Sequence, residues 1–231
     1  MTAGDKYATV VFYGDSNYDE LTLENVKFTV SRVTPEIDVT IEDVTYPANA
    51  VAEITVGNNA NGTVNVTVNG KTFNGTVSNG VGSVELTGLS AGNKVVNVEF
   101  TSTDEYNNNV NASSKFTIYP NNSLINIEDN AGVYKVGQDG DIKFIAVNST
   151  GDIAIYINGA YNTTLRHGID DGVSWSNLAE GTYVITAVLE GDQNYTGYST
   201  TTSFKVVKKN VTISVNDTTV PDVIVVGTPV L

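Results

Sequence analysis

The chain has 231 residues, a net charge of −14, no cysteine and one histidine. Its acidity repels nucleic-acid phosphates and anionic lipid, and the missing thiols exclude disulfides, zinc–thiolate sites and cysteine nucleophiles. No apolar run approaches the roughly 18 residues of a membrane span, and "MTAGDKYATV" lacks the basic-then-apolar order of a signal peptide.

The first 35 residues read as two strands around "YGDSNYDE" (13–20). From residue 36, apolar and polar residues alternate with a period of two, and Asn-Gly pairs punctuate the runs. This predicts seven strands, near 37–43, 51–57, 63–69, 71–77, 82–87, 93–100 and 111–119. A second set follows, clearest at "DIKFIAV" (141–147), "DIAIYIN" (152–158) and "TYVITAVL" (182–189). No window carries a helical apolar stripe. Short strands with closely spaced turn signals predict an all-β fold of sandwich type.

Self-similarity sets the organisation. Segments starting at Ala3, Ala91 and Glu180 align, with Phe28, Phe116 and Phe204 in step and Tyr18, Tyr106 and Tyr195 taken as equivalent. Ile41, Ile127 and Ile213 mark a second set of anchors. The unit is about 88 residues. The expected domains are 1–35, the last strands of a truncated module; 36–120 and 121–208, complete modules; and 209–231, the first strand or strands of another. On this reading the chain is a segment of a longer tandem array.

"GDSNY" (14–18) returns as "GDQNY" (191–195), and the middle copy has "STDEY" (102–106). Gly and Asn tolerate positive φ, and Asp closes an Asx turn. A turn tolerates the drift in the middle copy; a catalytic loop does not. The motif is therefore expected to be structural.

These features resemble the bacterial-type immunoglobulin-like repeats of adhesin-like surface proteins from methanogenic archaea. The carriers are Leu178, Gly181 and Tyr183, the run Gly191 to Tyr195, and the closing strands Phe28–Val30 and Phe204–Val206. The resemblance implies tandem immunoglobulin-like β-sandwiches on a cell surface, outside the cell, serving as a stalk or adhesive array. It carries over no ligand-contacting residue. Tyr183 also resembles the corner tyrosine of immunoglobulin-like folds.

Ten Asn-x-Ser/Thr sequons, at Asn61, Asn65, Asn74, Asn111, Asn121, Asn148, Asn162, Asn194, Asn210 and Asn216, suggest a glycoprotein. Carboxylates recur at Glu36, Asp38, Glu42, Asp43, Glu128, Asp129, Asp139 and Asp141. Without an EF-hand-like loop they read as a solvated acidic surface rather than a calcium site. Lys27, Lys115 and Lys205 precede inward phenylalanines, so they point outward and make poor isopeptide crosslinkers. His167 has no accompanying nucleophile elbow or oxyanion-hole motif. Trp175, the one tryptophan, is a sugar-stacking candidate if it faces out and a packing residue if it faces in.

The expectation is a chain without enzymatic activity, catalytic residues, metal or cofactor. Its expected partners are surface glycans or proteins of another cell, with possible strand pairing through the truncated ends. Alternatives are a carbohydrate- or protein-binding module, or an accessory domain of a larger secreted enzyme.

Overall fold

A computed structural model describes residues 1–129 and 132–214, excepting the side chain of Asp129. Asn216 and the part of the expected terminal strand region beyond Ser214 lie outside the described residues. Among the described residues every regular element is a strand. They run β1 (Gly4–Phe12), β2 (Leu21–Val30), β3 (Ile37–Ile41), β4 (Val44–Thr45), β5 (Ala50–Val56), β6 (Gly62–Val68), β7 (Lys71–Val77), β8 (Val81–Leu86), β9 (Gly92–Ser102) and β10 (Val110–Tyr119). The second series is β11 (Leu124–Asp129), β12 (Val133–Lys135), β13 (Gly140–Val147), β14 (Ile153–Ile157), β15 (Ala160–Leu165), β16 (Gly172–Trp175), β17 (Gly181–Leu189) and β18 (Tyr198–Val207). Residues 208–214 form no strand.

Two compact units result. One comprises Met1–Leu124 with Ala146–Gly151 and Leu189–Tyr198; the other comprises Ile125–Ile145, Asp152–Val188 and the described residues from Ser199.

In the first unit, β3-β5-β8 form one sheet and β4-β10-β9-β6-β7 the other. Alternation makes the core. β5 and β6 turn every second residue inward, placing Ala52, Ile54, Val64 and Val66 at 0–1% exposure. Phe100 and Phe116 join them from β9 and β10. Each valine, isoleucine and phenylalanine among them contributes about 1.5–3 kcal/mol by leaving water. The β6–β7 turn is Asn69-Gly70, both at positive φ, the backbone a two-residue hairpin of matching twist requires. Strand β3 ends two residues before the expected limit because the chain changes sheets at Glu42-Asp43. β4 then pairs in parallel with the end of β10, and Asp43 accepts from the Thr117 amide and the Tyr119 hydroxyl.

The hairpin β1–β2 is a separate two-stranded sheet of this unit. Its register puts Phe28 opposite Lys6, as Phe116 lies opposite Lys94 in β9–β10. Among the described residues no second sheet covers it, and Phe12 and Phe28 are 47% and 40% exposed.

In the second unit the sheets are β11-β13-β16 and β12-β18-β17-β14-β15. This repeats the first plan, including the short parallel strand: β12 pairs with β18 as β4 pairs with β10. Its core holds Ile142, Phe144, Ile155 and Ile185, all at most 2% exposed. The Asn158-Gly159 turn, again at positive φ, joins β14 to β15. Both units are β-sandwiches with an immunoglobulin-like strand order.

Candidate functional site

The recurring Asp loop is built the same way three times. Asp15 Oδ1 accepts from the amides of Asn17 and Tyr18 at 2.8 and 3.1 Å. Asp104 Oδ1 accepts from those of Tyr106 and Asn107, both at 2.8 Å. Asp192 Oδ1 accepts from those of Asn194 and Tyr195 at 2.7 and 2.9 Å. Each carboxylate thus captures the amides two and three residues on, which is the Asx turn expected from the sequence. A Cβ on Gly191 would lie 2.6 Å from the Gly197 amide and 2.9 Å from the Tyr195 carbonyl, so the tight return needs glycine there.

The hydrogen bonds correct the sequence alignment. The residue three after Asp is Tyr18, Asn107 and Tyr195; Tyr106 occupies the position of Asn17 and Asn194. The middle copy is Thr-Asp-Glu-Tyr-Asn, with Asn and Tyr exchanged. The turn uses main-chain donors, so it survives the exchange.

The two loops that follow a complete strand set each hold a linker. The Val33 amide donates to the Tyr106 carbonyl, and the Asn108 amide to the Val33 carbonyl, both at 2.8 Å. The Asn121 amide donates to the Asn194 carbonyl, and the Thr196 amide to the Asn121 carbonyl, both at 2.9 Å. Each is a parallel bridge between residues 74 apart, 33 with 107 and 121 with 195. The sequence repeat thus recurs as a contact repeat. All four residues belong to the first unit.

Side chains finish the two clamps differently. At the first, Arg32 donates to the Asn107 carbonyl at 3.2 Å, and Asn108 donates to the Thr34 hydroxyl at 3.0 Å. Asn107 is buried and its Nδ2 donates to Asp104, while its Oδ1 finds no partner among the described residues. At the second, Asn194 Oδ1 accepts from the Ala91 amide at 2.8 Å, and Gln193 donates to the Ala91 carbonyl at 3.1 Å. The Tyr195 ring meets Tyr46 edge-on at 5.3 Å between centroids. Ala91 is also where the buried Lys94 donates, at 3.1 Å.

The donors hold the loop carboxylates in the ionised form. The Asn61 amide, then the Asn107 side chain, with the amides of Tyr106 and Asn107, drive Asp104 well below the usual carboxylate range. The Thr150 hydroxyl, with the Asn194 and Tyr195 amides, lowers Asp192.

Trp175 faces inward, which corrects its candidacy as a sugar-stacking surface. Its indole stacks on Phe204 at 4.2 Å and 6°, Tyr183 stacks on Phe204 at 5.2 Å, and Tyr134 meets Trp175 edge-on. The Tyr183 hydroxyl donates to the Ala179 carbonyl at 3.1 Å, a corner-tyrosine bond. The equivalent inward position holds Lys94 and Lys6, which lie opposite Phe116 and Phe28. The Lys6 ammonium donates to the Thr2 hydroxyl, and Tyr7 is 63% exposed. Sequence reasoning missed Lys94 because a lysine in an alternating strand reads as an outward residue.

Asn65, Asn74, Asn111, Asn148, Asn162 and Asn210 are exposed, whereas Asn61, Asn121 and Asn194 are half-buried. Asn111 lies opposite Glu99, Glu99 opposite Asn65, and Asn65 opposite Asn74, so three sequons share one row across the outer face of β10-β9-β6-β7. His167 is exposed in a turn, where its amide donates to Asp152, and the neighbouring Asp170 pairs with Arg166. Lys27 pairs with Asp5 at 2.7 Å, and Lys115 and Lys205 are exposed. Among the described residues no three acidic or histidine side chains gather around a common point.

No family model and no curated relative matches the chain. Solved structures do. The fibronectin(III)-like modules of Clostridium thermocellum CbhA match at 12% identity and a TM-score of 0.33, over 74% of this chain and 95% of that one. A Ca2+-stabilized adhesin with which an Antarctic bacterium binds ice matches at 18% and 0.35, over 91% of this chain and 58% of that one. The I9–I11 tandem of titin matches at 15% and 0.32, over 90% and 85%.

Proposed function

We propose that this chain is a non-enzymatic segment of an adhesin-like, cell-surface array of immunoglobulin-like repeats. Its work is mechanical: to extend reach from the surface as a stalk, or to adhere along its length to glycans or proteins of another cell. The proposed modules are those of the sequence period, 36–120 and 121–208. The observation that carries the reading is the linker clamp, made twice at one register by the loop motif the repeat preserves. Two main-chain hydrogen bonds on each linker restrict the freedom of that segment itself.

The test is to place spin labels on either side of residue 121 and measure their distance distribution, with and without Asp192→Ala. A narrow distribution that broadens in the variant supports the stalk. A distribution already broad in the unaltered chain overturns it.

The exposed sequons are proposed to carry glycans. Asn65 and Asn74 are direct cross-strand neighbours, about 5 Å apart at their Cβ atoms, so one glycan there blocks the other. Glycopeptide mass spectrometry of the exported protein should find either site occupied, never both. Double occupancy contradicts the reading.

A further inference from the structure

We infer that the outer face of β14–β15 is the seat of the chain's own glycan at Asn162, whose first sugars pack on the rings of Tyr156 and Tyr161. The inference rests on the glycosylation reading above and adds a binding surface to it.

The hairpins β6–β7 and β14–β15 turn at matching Asn-Gly pairs, Asn69-Gly70 and Asn158-Gly159. Two residues out from each turn, one residue of each strand faces the other. In the first hairpin that pair is Thr67 and Thr72, with hydroxyls 3.1 Å apart. In the second it is Tyr156 and Tyr161, with ring centroids 5.9 Å apart in an edge-on contact. The fold is satisfied by threonines at this place, so it does not call for two aromatic rings. Tyr161 is nevertheless 62% exposed, which leaves apolar ring surface in water. β14, β15 and β17 carry no charged residue, in a chain with 26 acidic and 12 basic side chains. An uncharged face of rings and hydroxyls suits a neutral sugar, whose C–H faces pack on the rings while its hydroxyls hydrogen-bond.

The second hairpin differs in one more way. The pairing of β6 with β7 is regular, but that of β14 with β15 shifts between Ile155 and Tyr156. Tyr161 pairs with Tyr156 and Thr163 with Ile155, so Asn162 is the extra residue of a β-bulge. Strict alternation would turn the residue after Tyr161 inward; at the bulge Asn162 is exposed instead. It opens the sequon Asn162-Thr163-Thr164. The hydroxyls of Tyr161 and Thr164 lie 3.0 Å apart, which lays the Tyr161 ring along β15 toward the sequon threonine. The ring pair and the bulged sequon thus occur together in this hairpin, and β6–β7 has neither. Attachment joins Asn162 Nδ2 to the anomeric carbon of a phosphate-activated oligosaccharide; the phosphate leaves with the bonding electrons, and the amide loses one proton to solvent. The bond then holds the sugar beside the rings at a high effective concentration, so packing costs little further freedom.

Hydroxyl-radical footprinting of the exported full-length chain tests this, once glycopeptide mass spectrometry has read the occupancy of Asn162. Tyr161 should be oxidised several-fold more slowly in the occupied chain than in Asn162→Gln, with Tyr119, 51% exposed, unchanged as the control. Asn162→Gln should also melt about 2–4 °C below the occupied chain, the shift one ring contact gives at this size. In the double variant Tyr156→Thr with Tyr161→Thr, which carries the pair β6–β7 already folds with, adding Asn162→Gln should change nothing. Equal oxidation of Tyr161 with Asn162 occupied overturns the inference and leaves the glycosylation reading standing. An empty Asn162 overturns both at this site. Protection of Tyr161 in Asn162→Gln by the oligosaccharide released from the occupied chain would make the face a site for free sugar. Protection that grows with protein concentration would make it a contact between copies. Either result overturns the tethered seat.

Discussion

The hairpins β1–β2 and β9–β10 share a sequence pattern and, around Phe28 and Phe116, a register, yet their side chains live in different surroundings. Phe116 is 4% exposed and Phe28 is 40% exposed. Strand pairing is the same from Gly4 to Ala8 and from Gly92 to Val96; beyond Ala8 the β1–β2 register shifts, whereas β9–β10 stays regular. Burial depends on the other strands of the sandwich, which β9–β10 has and β1–β2 lacks among the described residues. The pattern of a strand states which face is apolar; it does not state what covers that face.

The largest effect expected from this contrast is in stability. Phe116→Ala should cost about 3–5 kcal/mol, the usual result of emptying a packed aromatic site. Phe28→Ala in the monomeric chain should stay within about 0.5 kcal/mol, as exposed substitutions do. Thermal or urea unfolding of the two variants measures the gap, and equal losses would break the comparison.

A smaller contrast separates the repeats at the corner position. Tyr183→Phe keeps the ring on Phe204 but removes the bond to the Ala179 carbonyl, and should cost about 1 kcal/mol. Tyr7→Phe, on an exposed ring one residue from the inward position, should cost nothing measurable. A matching loss at Tyr7 would mean that the inward position has been misassigned.

The pH dependence is the gentlest probe. Asp104 and Asp192 are both held below the ordinary carboxylate value in the folded chain. The unfolded chain therefore takes up protons first as pH falls. The contribution of the two loops is complete above the unfolded value of about 3.9 and is lost below it, as pH descends through the folded values. Stability followed from pH 7 downward should be flat in this respect until about pH 4 and then decline, less steeply in Asp104→Asn and Asp192→Asn.

Much of this was legible in the sequence. The runs 51–57 and 63–69 became β5 and β6 within one residue, because strict alternation leaves a strand only one way to bury a face. Asn69-Gly70 and Asn158-Gly159 announced their turns because positive φ is costly for other residues. The Asp loops were recognised as turns, but not as linker clamps. That contact joins residues 74 apart through main-chain atoms, and main-chain donors leave no mark on residue choice. The exchange of Asn and Tyr in the middle copy stayed hidden for the same reason. β4, with two residues, is too short to show a period. Trp175 was left open, since alternation around "GVSW" allows either face; the Phe204 ring beneath it decides the matter.

The central claim is that the repeated Asp loops pin the chain segments at residues 33 and 121. Hydrogen exchange at the amides of Val33, Asn108, Asn121 and Thr196 tests it most directly. The account expects all four to exchange slowly, with the Asn121 and Thr196 pair released by Asp192→Ala and the Val33 and Asn108 pair by Asp104→Ala. Four amides exchanging as fast as an open loop in the unaltered chain would contradict it.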